Sequence, residues 1–212
     1  MRIRELLTKY QNLFFLWVLQ KKLNGCRNVL DVGCGYDSPL SKLPKKFWIE
    51  GIDILEKNIA LCKKNNTHNK YKIGDIKKIN QYYRQNSFDA VIALDVVEHF
   101  IVKDALSLIK KMETIAKKRV IILTPNGFYE QGEIFDNPYQ IHKSGWKKSD
   151  LEKLGYKTYG LRGLKFIRGD NANIKFRPWL FWGGLSFLSE ILLYFFPSLS
   201  FDLLAIKELN KS

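Results

Sequence analysis

Apolar and polar positions alternate along the chain in two rhythms. From Asn28 onward, short β-branched or aromatic runs alternate with stretches whose apolar residues recur every three or four positions, the signature of βαβ units around a parallel sheet. Seven strands are predicted, over 28–32, 47–52, 70–73, 88–93, 119–123, 157–161 and 203–208. Helices are predicted over 57–64 and 102–117. In the second, Val102, Ala105, Leu106, Ile109, Met112 and Ala116 form one apolar stripe. Ser149, ahead of Asp150-Leu151-Glu152, predicts an N-cap opening a short helix that Gly155 ends. An amphipathic helix is predicted within 1–25. The expected fold class is α/β: one domain over 1–212, a doubly wound, mostly parallel seven-stranded sheet, with its core at 28–165, an aromatic helical insertion at 170–201 and a last strand at 203–209.

Residues 176–201 break the rhythm, because Trp179, Phe181, Trp182, Phe187, Tyr194, Phe195 and Phe196 crowd into them. The apolar run from Leu180 to Phe196 would reach about 26 Å as a helix, short of a hydrocarbon core of roughly 30 Å. It also contains Gly183-Gly184 and Glu190, and a single crossing would strand the last predicted strand on the wrong side of the membrane. Three readings stay open: a helix over the active site, a dimer surface, or a helix in the membrane interface with Lys175 and Arg177 near the headgroups. Near the N-terminus, Arg2, Arg4 and Lys9 precede an apolar run from Leu13 to Leu19. No small-residue cleavage site follows it, so a leading helix is expected rather than a signal peptide.

Composition narrows the classes further. With 46% hydrophobic and 14% aromatic residues, the chain can bury a core, which excludes a disordered or fibrous protein. The formal charge of +14 invites phosphate-bearing partners. Lys dominates that charge, however, and its doublets, from Lys21-Lys22 to Lys147-Lys148, are spread along the chain as on solvated helix faces. Nucleic acid is therefore not expected as a partner, while an anionic membrane surface stays open. Cys26, Cys34 and Cys62 are odd in number and lack CxxC spacing, so neither a disulfide framework nor a zinc site is expected. A reducing, cytoplasmic setting, with a membrane-peripheral one as the variant, follows. The oligomeric state is not legible.

The chemistry begins at Val29-Leu30-Asp31-Val32-Gly33-Cys34-Gly35, an apolar strand running into D-x-G-x-G. Gly33 and Gly35 allow a ligand close to the backbone, and Asp31 can meet a cationic amino group. A pyrophosphate-binding fingerprint would need a third glycine where Ser38 stands, and Asp37 beside it would repel an anion. Asp53 follows the second predicted strand and is placed to hold ribose hydroxyls; Asp75 follows the third. Strand ends of an open α/β sheet converge on one crevice, so these carboxylates line up for an amino group, a ribose and a base.

Over about residues 28–165 the sequence resembles the class I S-adenosylmethionine-dependent methyltransferases, through VLDVGCG, GID at 51–53, GD at 74–75 and FDAVIALDVVEHF at 88–100. The resemblance implies a Rossmann-like methyltransferase fold and S-adenosylmethionine as cofactor. It also implies a binding set of Asp31, Gly33, Cys34 and Gly35 in the glycine loop, Asp53 with Ile54 at the ribose, Asp75 with Ile76 at the adenine, and Asp95 beside the methyl donor. TPNGF at 124–128 and NPYQIHKSGW at 137–146 are similar to uncharacterised prokaryotic methyltransferases associated with cell-surface sugar or lipid metabolism.

Asp136-Asn137-Pro138-Tyr139 resembles the [DN]-P-P-[YF] motif of enzymes that methylate flipped-out bases. It follows the fifth strand rather than the fourth and lacks the second Pro, so DNA amino methylation is not expected. Methyl transfer from a sulfonium is an in-line displacement that needs a base only for a hydroxyl acceptor. His99 beside Glu98, and His142, are the candidate catalytic residues. Tyr129, Tyr139 and Trp146 are expected to wall the acceptor pocket. No metal is expected, since Asp95, Glu98 and His99 lie too close in sequence to face one point. The expected activity is O-directed methyl transfer to a small-molecule or lipid- or sugar-linked acceptor. The alternatives are a non-catalytic membrane-surface or RNA-binding module on the same fold, and an RNA methyltransferase.

Overall fold

The computed structural model describes residues 3–44, 47–133, 137–169 and 174–209, with side chains from residue 12 onward. Helix α1 (Ile3–Lys22) leads into β1 (Asn28–Val32), and β2 (Trp48–Asp53), α2 (Glu56–Lys64), β3 (Lys70–Ile73), α3 (Ile79–Tyr82) and β4 (Phe88–Leu94) follow. Next come α4 (Val102–Ile115), β5 (Ala116–Pro125), α5 (Lys148–Lys153), β6 (Lys157–Leu164), α6 (Trp179–Leu188), α7 (Glu190–Leu193) and β7 (Ser200–Glu208). The seven strands form one sheet in the order β3-β2-β1-β4-β5-β7-β6. Six run in the same direction, while β7 runs antiparallel between β5 and β6. Such a sheet is covered on both faces, which is why β4 is apolar at nearly every position and almost wholly buried.

All seven predicted strands are present, and the differences lie at their ends. The apolar stripe of α4 is rotated from the expected one: Ala105, Leu108, Ile109, Met112 and Ile115 face the core, while Val102 is 52% and Leu106 38% exposed. Ala116, predicted helical, opens β5 by pairing with Phe88. Helix α5 starts before Ser149. Its N-cap is Lys147, whose backbone N–H donates to the Asp150 carboxylate at 2.9 Å, and Gly155 at φ +85° ends the turn as expected.

Between β1 and β2 the described residues hold only a 3-10 turn, Pro39–Lys42, capped by Ser38. Helix α1 takes over the covering of that face, burying Phe15, Val18 and Leu19, with Leu23 just beyond it, against Val29, Ile121 and Leu204. The opposite face is closed by α4, Trp146 and Leu151. Helix α6 lies close on β6 at Gly163, which has φ +75° and no room for a Cβ beside Ser186. Among the described residues no helix is long and apolar enough to cross a membrane. Residues 170–173 of the expected aromatic insertion lie outside the described residues.

Candidate active site

The carboxyl ends of β1, β2, β3 and β4 meet in one cleft. Gly33 and Cys34 donate their N–H groups to the Ile52 carbonyl at 2.8 and 3.1 Å, tying the loop after β1 to β2. Gly33 has φ +70°, and a Cβ there would come within 2.9 Å of Val96, so only glycine lets the loops after β1 and β4 touch. Asp53 fastens the second tie. Its Oδ2 accepts from Gly35 N–H at 2.9 Å, and its Oδ1 from Leu55 N–H at 2.8 Å and from the Asn58 amide at 3.1 Å. A carboxylate offers about four acceptor sites, so one of the Oδ2 sites stays available to a ribose hydroxyl.

Asp31 sits deeper. Its Oδ2 is taken by Ser38 Oγ at 2.5 Å and by His68 Nε2 at 2.9 Å, which makes it an anchor of the loop as well as a border of the cleft. Asp75 spends one oxygen capping a 3-10 turn through Lys77 N–H at 2.9 Å. Cys34 is buried, and its thiol is held well above its usual pKa by its hydrogen bond with Cys62 and by burial.

Three cavities occupy the cleft. The first, about 830 Å³, lies between the glycine loop and α1 and is bordered by Asp31, Cys34, Tyr36 and Lys57. The second, about 400 Å³, is lined by Asp53, Ile54, Asp75, Ile76, Val96 and Tyr139. The third, about 230 Å³, holds Glu98, His99, Tyr129, His142 and Phe201. Asp95 and Gln140 border all three. The expected binding residues are thus brought together; of the three expected catalytic residues, Glu98 and His142 line the third cavity, and His99 lines both the second and the third. Of the expected pocket walls, Tyr129 lines the third cavity and Tyr139 the second, but Trp146 does neither. It is buried in the core, with Nε1 donating to Ser144 Oγ at 3.1 Å. Asp136 lies outside the described residues, and Asn137 caps the turn Pro138–Gln140.

The two imidazoles lie 5.0 Å apart, centre to centre. His99 Nδ1 faces the Ile141 carbonyl at 3.3 Å, and His142 Nδ1 faces the Tyr129 carbonyl at 2.8 Å. A carbonyl only accepts, so each Nδ1 carries a proton, and the nitrogen left to act as a base in either ring is Nε2. Burial and the neighbouring His142 hold the pKa of His99 below its ordinary value, so it stays neutral at neutral pH. Glu98 is buried, its Oε2 accepting from Thr124 Oγ1 at 3.0 Å while its Oε1 has no hydrogen-bond partner among the described residues. Burial, helped by the Asp95 charge, pushes its pKa well up. One ligand atom each from Glu98, His99 and His142 lie within 4.8 Å of one another, a spacing at which a single cation can be held. The expectation of no metal weighed only Asp95, Glu98 and His99; the third donor comes instead from the loop after β5.

Several residues of the cleft carry no sequence signal. Arg162 of β6 reaches Asp95 at 3.1 Å and Asp202 of β7 at 2.8 Å. It has φ +60° at a register shift in the β6–β7 pairing, and Gly163 beside it was the one hint of a bulge. Burial, against the opposing pull of Arg162, pushes Asp202 up to about 7. His68 and Gln140 were likewise not anticipated.

A family described as "Methyltransferase domain" matches residues 30–124. A curated small RNA 2′-O-methyltransferase of Tetrahymena thermophila is 27% identical over 177 residues, 66% of this chain, and the chain spans 41% of that relative's length. A SAM-dependent methyltransferase from Archaeoglobus fulgidus superposes with a TM-score of 0.61 at 18% identity, covering 96% of this chain and 94% of that one. The N-methyltransferase NodS of Bradyrhizobium japonicum gives 0.60 at 11% identity, covering 97% of each.

Proposed function

We propose that the chain is a class I S-adenosylmethionine-dependent methyltransferase, with S-adenosylmethionine as its cofactor, and that it methylates a hydroxyl of a small-molecule, lipid-linked or sugar-linked acceptor. The residues fit the cofactor: Asp53 keeps an acceptor site, Asp75 lines the same cavity, and Asp95 Oδ1 is buried with no hydrogen-bond partner among the described residues. The cofactor supplies an electrophilic methyl group. The chain's own work is to align the acceptor oxygen with that methyl, exclude water and take a proton.

The observation that carries the reading is the pair of Nε2 lone pairs in the third cavity, which adjoins the donor cavity through Asp95 and Gln140. In this role His142 or His99 accepts the hydroxyl proton at Nε2, while the carbonyls of Tyr129 and Ile141 fix the rings. The test is transfer of labelled methyl from S-adenosylmethionine into glycolipid and small-molecule extracts. Wild type should label an acceptor, and H142A with H99A should abolish labelling while calorimetric donor binding is unchanged. Labelling that survives both substitutions overturns the histidine role.

A second reading has Glu98, His99 and His142 holding a divalent cation, supported by their convergence and by the orphaned Glu98 Oε1. Activity abolished by a chelator and restored by one divalent ion would favour it over a metal-free base. A ribose 2′-hydroxyl of a small RNA is the competing acceptor, favoured by the curated relative; labelling of short RNAs in preference to extracts would select it.

A further inference from the structure

From Leu180 to Leu199 the protein exposes an unusual run of large apolar side chains, including Phe181, Leu188, Ile191, Leu192, Phe195 and Phe196. Leu188 is 72% and Phe195 70% exposed. Helix α1 extends the patch: it packs beside α6, Phe14 meets Tyr194 edge-on at 6.2 Å, and Leu13 and Trp17 face outward. Apolar surface of this continuity marks an interaction site. Alpha helices α6 and α7 line none of the three cavities of the cleft, so the reading of the segment as a lid over the active site is not supported.

The charges around the patch are one-sided. Lys175 and Arg177 stand exposed at the start of α6, and Lys21 stands beside Trp17 with its ammonium 5.9 Å from the ring centre. The one acidic residue in 174–199 is Glu190, which is 2% exposed, turned inward and accepting from Arg162 N–H at 3.2 Å. An apolar face rimmed by cations, with no outward carboxylate in residues 174–199, complements an anionic interface. A second copy is the poorer occupant, since a self-complementary contact pairs the patch with itself and brings no carboxylate from this segment to the rim cations.

We propose that this face, α6 and α7 with the outer side of α1, docks on an anionic lipid bilayer, lying in its interface without crossing it. The placement also serves the chemistry, on the condition that the reading of the third cavity as the acceptor site holds. Directly after α7, the carbonyls of Pro197, Ser198 and Ser200 receive the Asn126 amide at 3.1, 3.1 and 2.9 Å. Phe201 follows and walls the third cavity, its ring 4.8 Å from that of Tyr129. The docking face therefore ends at the wall of the acceptor cavity, and a lipid-linked acceptor can be presented to it from the bilayer.

The test is co-sedimentation of the full chain with vesicles of phosphatidylcholine alone and of phosphatidylcholine with phosphatidylglycerol. Wild type should pellet with the anionic vesicles and largely remain in solution with the neutral ones. The double variant Leu188→Asp with Phe195→Asp, at solvent-exposed positions, should lose binding by about tenfold or more. Lys175→Glu with Arg177→Glu should lose the preference for phosphatidylglycerol and its salt sensitivity. Calorimetric binding of S-adenosylmethionine should be the same in all three proteins. Wild type that stays in solution with anionic vesicles overturns the proposal. So does a dimer in sedimentation velocity that the Leu188 and Phe195 changes dissolve while no vesicle binding is seen. Failure of the acceptor reading shows separately, as vesicle binding without methyl transfer to any extracted lipid.

Discussion

The two halves of the cleft are built by different means. The donor half comes from short segments directly after β1, β2, β3 and β4, and its residues are locked by backbone ties such as Gly35 N–H to Asp53. The half proposed to take the acceptor is gathered from afar: Glu98 and His99 after β4, His142 from a loop after β5, Arg162 from β6 and Asp202 from β7. Backbone ties fix the first half within loops of a few residues, whereas the second depends on side chains meeting across the sheet. The donor half should therefore resist single changes outside Gly33 and Asp53, and the acceptor half should be the more sensitive to pH and to distant substitutions.

His142→Ala gives the sharpest separation. It should lower kcat by about 10²- to 10⁴-fold if the ring takes the acceptor proton, with the dissociation constant for S-adenosylmethionine unchanged. An equal loss of donor binding would break the division between the halves. Asp53→Ala should act on the other side, weakening calorimetric donor binding by about a hundredfold, because three N–H donors and the ribose lose one partner together.

Glu190 gives a smaller effect on stability. Burial pushes its pKa up to about 7 from an ordinary 4.5. Between those values the folded state keeps a proton that the unfolded chain has released. The associated stability is complete below about 4.5 and is lost as pH rises through about 7, on the order of 3 kcal/mol in all. Thermal melting of Glu190→Gln should show a flatter pH dependence over that window than wild type. Gly163→Ala should cost about 1–2 kcal/mol by pressing a methyl group on Ser186 at a positive φ, and melting should shift without any change in donor affinity.

The difference between the halves also decides what the sequence discloses. Asp31, Gly33, Asp53, Asp75 and Asp95 are legible because each stands at a strand end, where an apolar run meets a turn. The periodicity found all seven strands but misplaced the buried stripe of α4, since Val102 and Leu106 are as apolar as the residues that pack. His99 and His142 were legible as chemistry, but not as a pair with Glu98: their meeting depends on how the loop after β5 folds back, with Lys143 and Ser144 N–H groups on the Glu98 carbonyl at 2.8 and 3.0 Å. Arg162 and Asp202 fell just outside the predicted strands 157–161 and 203–208 and belonged to no motif. Nothing local tells that a bulge turns one toward the other.

The antiparallel insertion of β7 sets an order of assembly. Residues 157–164 cannot pair directly with β5, because β7 lies between them in the sheet. Strand β6 therefore waits for residues 200–208 before it joins the sheet, while β1 to β5 can close on contacts made within residues 28–125. Long-range pairing of this kind is slow because the loop entropy is lost before the contact forms. During synthesis the nucleoside-binding side takes shape first, and the Arg162–Asp202 pair that completes the other side closes last. The aromatic helices α6 and α7 belong to the segment that must wait, so their apolar faces emerge before the strand they rest on has found its place.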